Sequence, residues 1–280
     1  DLIDAMGREK NSRVRQYIAK AIARYKGVPA LAVTQLSAAL KDPDPATRAV
    51  VAEALALAGP AARPAAAELV PLMNDEDKRV RKAAVVAMGR ISPAGASAVA
   101  ETMAKMLATE KDLETRIELI TSIQILDQKS PAVISGLAAM LTDPEDEVRR
   151  RATRTLGYFG TASASVADQL LKVASADKVK DISVDAVYAF GSAVGRDGLK
   201  VRLKDLLAVV SDSDFRVRIA VINTVASIGH ELKDDAATMK TLRDRLGDPH
   251  IKVREAARSA IQRIEKKPEP KKNEVPKKQP

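Results

Sequence analysis

The stretch LTDPEDEVRRRATRTLGYFG, residues 141–160, decides how this chain is read. Asp143 is followed by Pro144, where a preceding helix has to stop. Val148 and Leu156 then stand on one side of a new helix, with Arg149 on its flank. Gly157 stands on the same helix, small enough to admit a close neighbour.

Working outward, the same arrangement recurs along the chain. Arg149 has counterparts at Arg15, Arg48, Arg81, Arg116, Arg218 and Arg254, with Ser183 in the remaining position, at spacings of 33 to 36 residues. Six residues before each stands an acid: Glu9, Asp42, Asp75, Glu110, Asp143, Asp177, Asp212 and Asp248. Six further back lie Ile3, Leu36, Leu69, Ala104, Leu137, Leu171, Leu206 and Leu242. A second apolar stripe combines Val14, Thr47, Val80, Thr115, Val148, Ile182, Val217 and Val253 with Ile22, Leu55, Met88, Ile123, Leu156, Phe190, Val225 and Ile261. Mostly tiny residues follow directly: Ala23, Ala56, Gly89, Gln124, Gly157, Gly191, Ala226 and Gln262. Self-similarity at this period marks stacked helix pairs. The acid ends the first helix of a pair and favours the start of the second; the tiny residues let neighbouring pairs approach.

The Arg column lies where it can reach a neighbour's acid. We therefore expect a structural ladder of Asp42, Arg48, Asp75, Arg81, Glu110, Arg116, Asp143, Arg149, Asp212, Arg218, Asp248 and Arg254, broken at Ser183 and followed there by a Gly-rich loop (Gly191, Gly195, Gly198). Exposed ion pairs are worth about 0–1 kcal/mol, against about 1.5–3 kcal/mol for a buried aliphatic side chain. Apolar stacking holds such an array, and the ladder sets its register.

The DPxxxVR pattern, seen in Asp143-Pro144 with Val148-Arg149 and in Asp248-Pro249 with Val253-Arg254, precedes an Ala-rich helix. It resembles HEAT repeats, particularly the short bacterial kind shared with phycobilisome-lyase-like proteins. The resemblance covers residues 1 to about 265. It implies an all-α fold, a right-handed α-α superhelix of about eight helix-pair repeats, with the second helices lining the concave side. Asp1–Met6 supplies only half of a first helix, so the native protein is expected to continue upstream. Arg258 and Gln262 put polar groups on the stacking flank of the last repeat, as a cap requires. Residues 266–280 form a Lys/Pro-rich tail without apolar periodicity, expected to be disordered.

Composition narrows the function. The chain is 46% hydrophobic and 30% charged but only 2% aromatic, and it has no Cys. Disulfides, thiolate metal sites and Cys nucleophiles are excluded. No apolar run approaches the ~18 residues of a membrane span, and both a cytoplasmic and a secreted or periplasmic location stay open. The chain has no GxSxG elbow, and Gly191–Gly198 lacks the strand and lysine of a phosphate loop. His230-Glu231 is a single pair, where the HEAT-type deoxyhypusine hydroxylases use several for their di-iron site. No enzyme, cofactor or metal site is expected.

The inferred inner face gathers the charge. Four columns on the side of the second helices opposite the core carry eleven cations and five acids, an excess of six that equals the net charge of residues 1–264. The candidate partner-binding groove comprises Arg79, Lys82, Arg90, Ile117, Ile125, Arg150, Arg154, Tyr158, Tyr188 and Ile219. A mixed basic and apolar groove suits a protein or peptide with acidic and apolar segments. The expectation is a monomeric, non-catalytic protein-interaction scaffold. Phosphate-mediated nucleic-acid binding and a phycobilin-lyase-like role are the alternatives; single strands would want exposed aromatics for stacking.

Overall fold

The structure, a computed structural model, describes residues 2–24, 30–92 and 96–266. The Lys/Pro-rich tail beyond Lys266 and Tyr25 therefore lie outside the described residues. Among these, helices and turns account for the regular structure and no strand occurs. The helices come in pairs: α1 (Leu2–Arg8) with α2 (Ser12–Ala23), α3 (Ala30–Ala39) with α4 (Pro45–Ala58), α5 (Ala66–Leu72) with α6 (Lys78–Ile91) and α7 (Ser97–Leu107) with α8 (Leu113–Leu126). They continue with α9 (Pro131–Ala139) and α10 (Asp146–Tyr158), α11 (Ala167–Ala176) and α12 (Lys180–Val201), α13 (Leu203–Ala208) and α14 (Phe215–Ala226), and α15 (Ala236–Asp244) with α16 (Ile251–Glu265). The chain forms two compact units, residues 1–169 and 170–280, the boundary falling early in α11.

Two side chains build the tight turn inside most pairs. The acid column accepts the N–H two residues on: Asp42 from Asp44 at 2.9 Å, Asp75 from Asp77 at 2.9 Å, Glu110 from Asp112 at 2.8 Å and Asp248 from His250 at 2.9 Å. The residue so held then caps the second helix. Asp44 accepts from Ala46, Asp77 from Arg79, Asp112 from Thr115, Asp214 from Arg216, and the His250 ring from Lys252. Each cap satisfies a backbone donor that the helix leaves orphaned, worth about 1 kcal/mol.

In the first unit the second helices lie side by side in the order α2, α4, α6, α8, α10, each resting on its own first helix. Between the two layers runs the core, where Thr47, Val80, Thr115 and Val148 are fully buried together with Leu55, Met88, Ile123 and Leu156. Val14 departs from its column and is exposed, as is Tyr17 beside it. The tiny column marks the tightest approach: a Cβ added at Gly89 would stand 2.6 Å from the Ser122 hydroxyl of α8. Where the column carries Gln124, its amide oxygen accepts from Thr155 of α10 at 3.4 Å instead.

In the second unit α12, α14 and α16 lie side by side. Ile182, Phe190, Val217, Val225 and Val253 are fully buried. Two positions differ from the sequence reading. In α11 it is Leu170, not Leu171, that is fully buried. In α16 Ile264 takes the fully buried place and Ile261 is half-buried. The expected Gly-rich loop is instead helical on both sides of one residue, Gly195, with φ 65° and ψ 178°. Gly59, Asp127, Gly160 and Gly229 also take positive φ, shortly after the ends of α4, α8, α10 and α14 respectively. A residue of positive φ therefore stands at or just past the end of the second helix in most pairs; at α8 it is Asp127 in the left-handed helical conformation common at helix C-termini.

The Arg column bolts neighbouring pairs together. Within the first unit Arg15 meets Asp42 at 2.6 Å, Arg48 meets Asp75 at 2.9 Å, Arg81 meets Glu110 at 2.7 Å and Arg116 meets Asp143 at 3.0 Å. Within the second, Arg218 grips Asp248 through two bonds of 2.9 and 2.8 Å. Each of these arginines also donates to carbonyls of its own turn, as Arg48 does to Asp42 and Pro43 and Arg218 to Asp212 and Ser213. Arg149 and Arg254 make the same bonds to their own turns. At Ser183 the hydroxyl turns to the Val173 and Asp177 carbonyls. The charge comes instead from Lys180, one turn earlier, which reaches Asp212 at 2.9 Å. The hydrogen bonds of the facing acids hold the Arg15, Arg48 and Arg81 guanidinium groups above their ordinary pKa, against the opposing effect of burial.

Candidate functional site

The second helices present one side to solvent, and each unit has its own stretch of it. In the first unit this face carries Arg79, Lys82 and Arg90 from α6, Ile117 and Ile125 from α8, and Arg150, Arg154 and Tyr158 from α10. Tyr188 and Ile219 belong to the second unit, on α12 and α14.

The cations of the first unit fall into two groups. Toward the N-terminal ends of the helices they are matched by carboxylates of the same chain. Arg79 pairs with Asp77 at 2.6 Å, Lys82 with Glu114 of the next helix, and Arg150 with Glu147 at 3.7 Å. The Asp77 carboxyl is pulled down to about 2, first by the Arg79 side chain, with burial opposing and the Arg79 N–H adding to the fall. Lys82 is raised by the hydrogen bond to Glu114, against its partial burial. The Nε of Arg150 is buried without a hydrogen-bond partner among the described residues.

At the C-terminal ends the picture changes. Arg24 and Arg90 are exposed and have no carboxylate partner among the described residues. Between and beyond them stand large apolar side chains in the open: Leu57 is 63% exposed, Ile125 55% and Tyr158 58%. Lys129 lies 5.9 Å from the Tyr158 ring and 5.6 Å from the ring of Phe159. Isolated exposed aliphatics are ordinary on protein surfaces, whereas here they recur at repeat spacing beside Arg24 and Arg90.

The second unit carries a smaller version. Tyr188 is exposed and Ile219 half-buried. Arg216 is occupied by Asp214 at 2.8 Å and by Asp181 of the preceding second helix. Both histidines have local duties. His230 is half-buried, and its Nδ1 lies 3.0 Å from the Ile264 carbonyl oxygen. The His250 ring caps α16 and stacks on Phe215 with centroids 3.7 Å apart. Sequence reasoning missed the neutralising acids. Glu114 and Glu147 were counted against the cations of the face, but nothing in the counting says which cation each one holds. No helix among the described residues is long and apolar enough to cross a membrane.

Helix pairs stacked at a fixed repeat, joined by Arg–acid bolts and closed by small residues, define an α-solenoid. The family model for HEAT repeats matches residues 33–124 and 100–191, together more than half of the chain. The chain belongs to the HEAT-repeat family. Among solved structures it is similar to an engineered protein, at 20% identity with a TM-score of 0.60, covering 95% of this chain and 78% of that one. It is also similar to Kap121p, at 16% identity with a TM-score of 0.64, covering 94% of this chain and 32% of that chain. A Kap121p mutant with three acidic residues replaced by lysine matches with a TM-score of 0.63. This chain thus spans about a third of the length of Kap121p. Curated proteins provide no match. At these identities the likeness is one of fold.

Proposed function

We propose that this chain is a monomeric, non-catalytic protein-interaction scaffold that holds a partner protein or peptide on the face lined by its second helices. The observation that carries the reading is the row of exposed apolar side chains, Leu57, Ile125 and Tyr158, set beside Arg24 and Arg90, which have no carboxylate partner among the described residues. Burial of an aromatic anchor beside a positive charge is the usual source of affinity at protein interfaces. Phosphate-mediated nucleic-acid binding draws less support, because Arg79, Lys82 and Arg150 already face intramolecular acids, and every such pair has to open before a phosphate is bound.

Photocrosslinking tests the reading. A benzoyl-phenylalanine at Ile125 or Tyr158 is expected to yield discrete protein adducts that persist at elevated salt. The same group at exposed Leu31 on first helix α3 is expected to yield none. Adducts from Leu31 alone, or adducts only to nucleic acid, would defeat it.

A further inference from the structure

The C-terminal ends of the second helices place one exposed side chain per repeat in a line: Arg24 at the C-cap of α2, then Leu57, Arg90, Ile125 and Tyr158 on α4, α6, α8 and α10 in turn. They occupy equivalent repeat positions on helices that pack side by side. Packed helices lie about 8–10 Å apart. A peptide in the polyproline II conformation rises about 3.1 Å per residue with about three residues per turn, so an extended chain of this kind laid across these helices turns one face to a new helix at every third residue. We propose that this line is a reader of an extended segment in which acidic and apolar residues alternate at three-residue spacing, ending on an apolar or aromatic group beside Tyr158. The inference rests on the scaffold reading and names the partner chemistry for that same face.

Charge complementarity chooses the occupant. Arg24 and Arg90 have no carboxylate partner among the described residues, and they stand two repeats apart, so they call for acids six residues apart. Leu57 and Ile125 interleave with them and offer apolar contact at the intervening steps. A carboxylate stands just past Ile125, that of Asp127, but Lys129 holds it at 3.2 Å, which leaves the line positive. Arg90 also sits in the last turn of α6, where a cation suits the helix dipole. That role explains its position without explaining the alternation with Leu57 and Ile125. Width favours an extended segment over a helix. One turn before Leu57 stands exposed Glu53, which a helix about 10 Å across would have to cover and an extended chain need not.

The test uses fluorescence anisotropy with the full chain and a labelled 13-residue peptide. It carries Glu at positions 1 and 7, Leu at 4 and 10 and Phe at 13, with Gly and Ser elsewhere, in both chain directions. We expect saturable binding at least about tenfold tighter than for the same residues at two-residue spacing. Arg90→Glu is expected to weaken it about tenfold, and Lys at peptide position 7 to restore the loss. Equal binding of the two spacings, tighter binding of a helical peptide with seven-residue spacing, no saturable binding, or indifference to Arg90→Glu would each overturn the proposal. If any of these occurs while crosslinks still form from Ile125, the scaffold reading stands and only the line fails. If the crosslinks are absent as well, both fail.

Discussion

Replacing Arg218 with Met should loosen the C-terminal repeats far more than its place on the flank of a helix suggests. The Arg218 side chain is 9% exposed and that of Asp248 is 1%. Two hydrogen bonds join them, and Arg218 also holds the Asp212 and Ser213 carbonyls. Removing one partner of a buried pair typically costs about 3–5 kcal/mol, because the other charge is left desolvated. Here Asp248 keeps the His250 N–H at 2.9 Å and Arg245 at 3.9 Å, so the lower figure of about 3 kcal/mol is the better estimate. That is about a hundredfold in the opening equilibrium. Stacked repeats respond locally, so the assay is hydrogen exchange read by mass spectrometry on peptides from α14 and α16, with α4 and α6 as internal reference. Lys240→Ala, which removes an exposed pair to Asp244 at 3.0 Å, is the control and should change exchange by less than about fivefold. If the two variants accelerate exchange equally, or if Arg218→Met acts uniformly along the chain, the bolt contributes no more than a surface charge and the reasoning is wrong.

Further outcomes follow from single positions. Gly89→Ala should destabilise by about 1–3 kcal/mol despite the better helix former, since its Cβ would lie 2.6 Å from the Ser122 hydroxyl; Ser122→Gly in the same chain should return part of the loss in urea denaturation. Gly59→Ala should cost about 1–3 kcal/mol through its φ of 57° and ψ of −137° alone, whereas Gly247→Ala, with open space and no positive φ, should be neutral or slightly stabilising. The Asp77 pKa of about 2 lies below that of an unfolded Asp, so its contribution is full above about pH 4 and is lost as pH falls toward 2. Carboxyl-detected NMR titration should place that midpoint, and Asp77→Asn should abolish the acid-dependent fraying of the start of α6.

The repeat, its core stripe and the reach of Arg15, Arg48, Arg81, Arg116 and Arg218 toward the next acid follow from column spacing, because each is set by a residue type that recurs. The caps were as legible and went unread: Asn11, Asp44, Asp77, Asp112 and Asp214 stand two residues after the acid column. So did the positive-φ residues at the helix ends, since Gly59, Gly160, Gly195 and Gly229 recur at repeat intervals, with Asp127 filling one place. That column would have turned the supposed Gly-rich loop into the end of one helix and the start of another. Other features depend on three dimensions. Lys180 replaces the missing Arg from a different turn of the helix, a substitution that no column shows. Which acid silences which cation on the candidate face is set by side chains reaching between helices, as Lys82 does to Glu114, and counting charges treats all of them alike.

The bolt has a direction: the guanidinium belongs to one repeat and its socket to the next. A gene that duplicates or deletes one whole repeat therefore leaves every remaining plug with a socket, and unequal recombination can lengthen or shorten the array without a compensating mutation. A crossover that joins non-equivalent positions of two repeats enjoys no such tolerance, for it strands a plug or a socket in the interior.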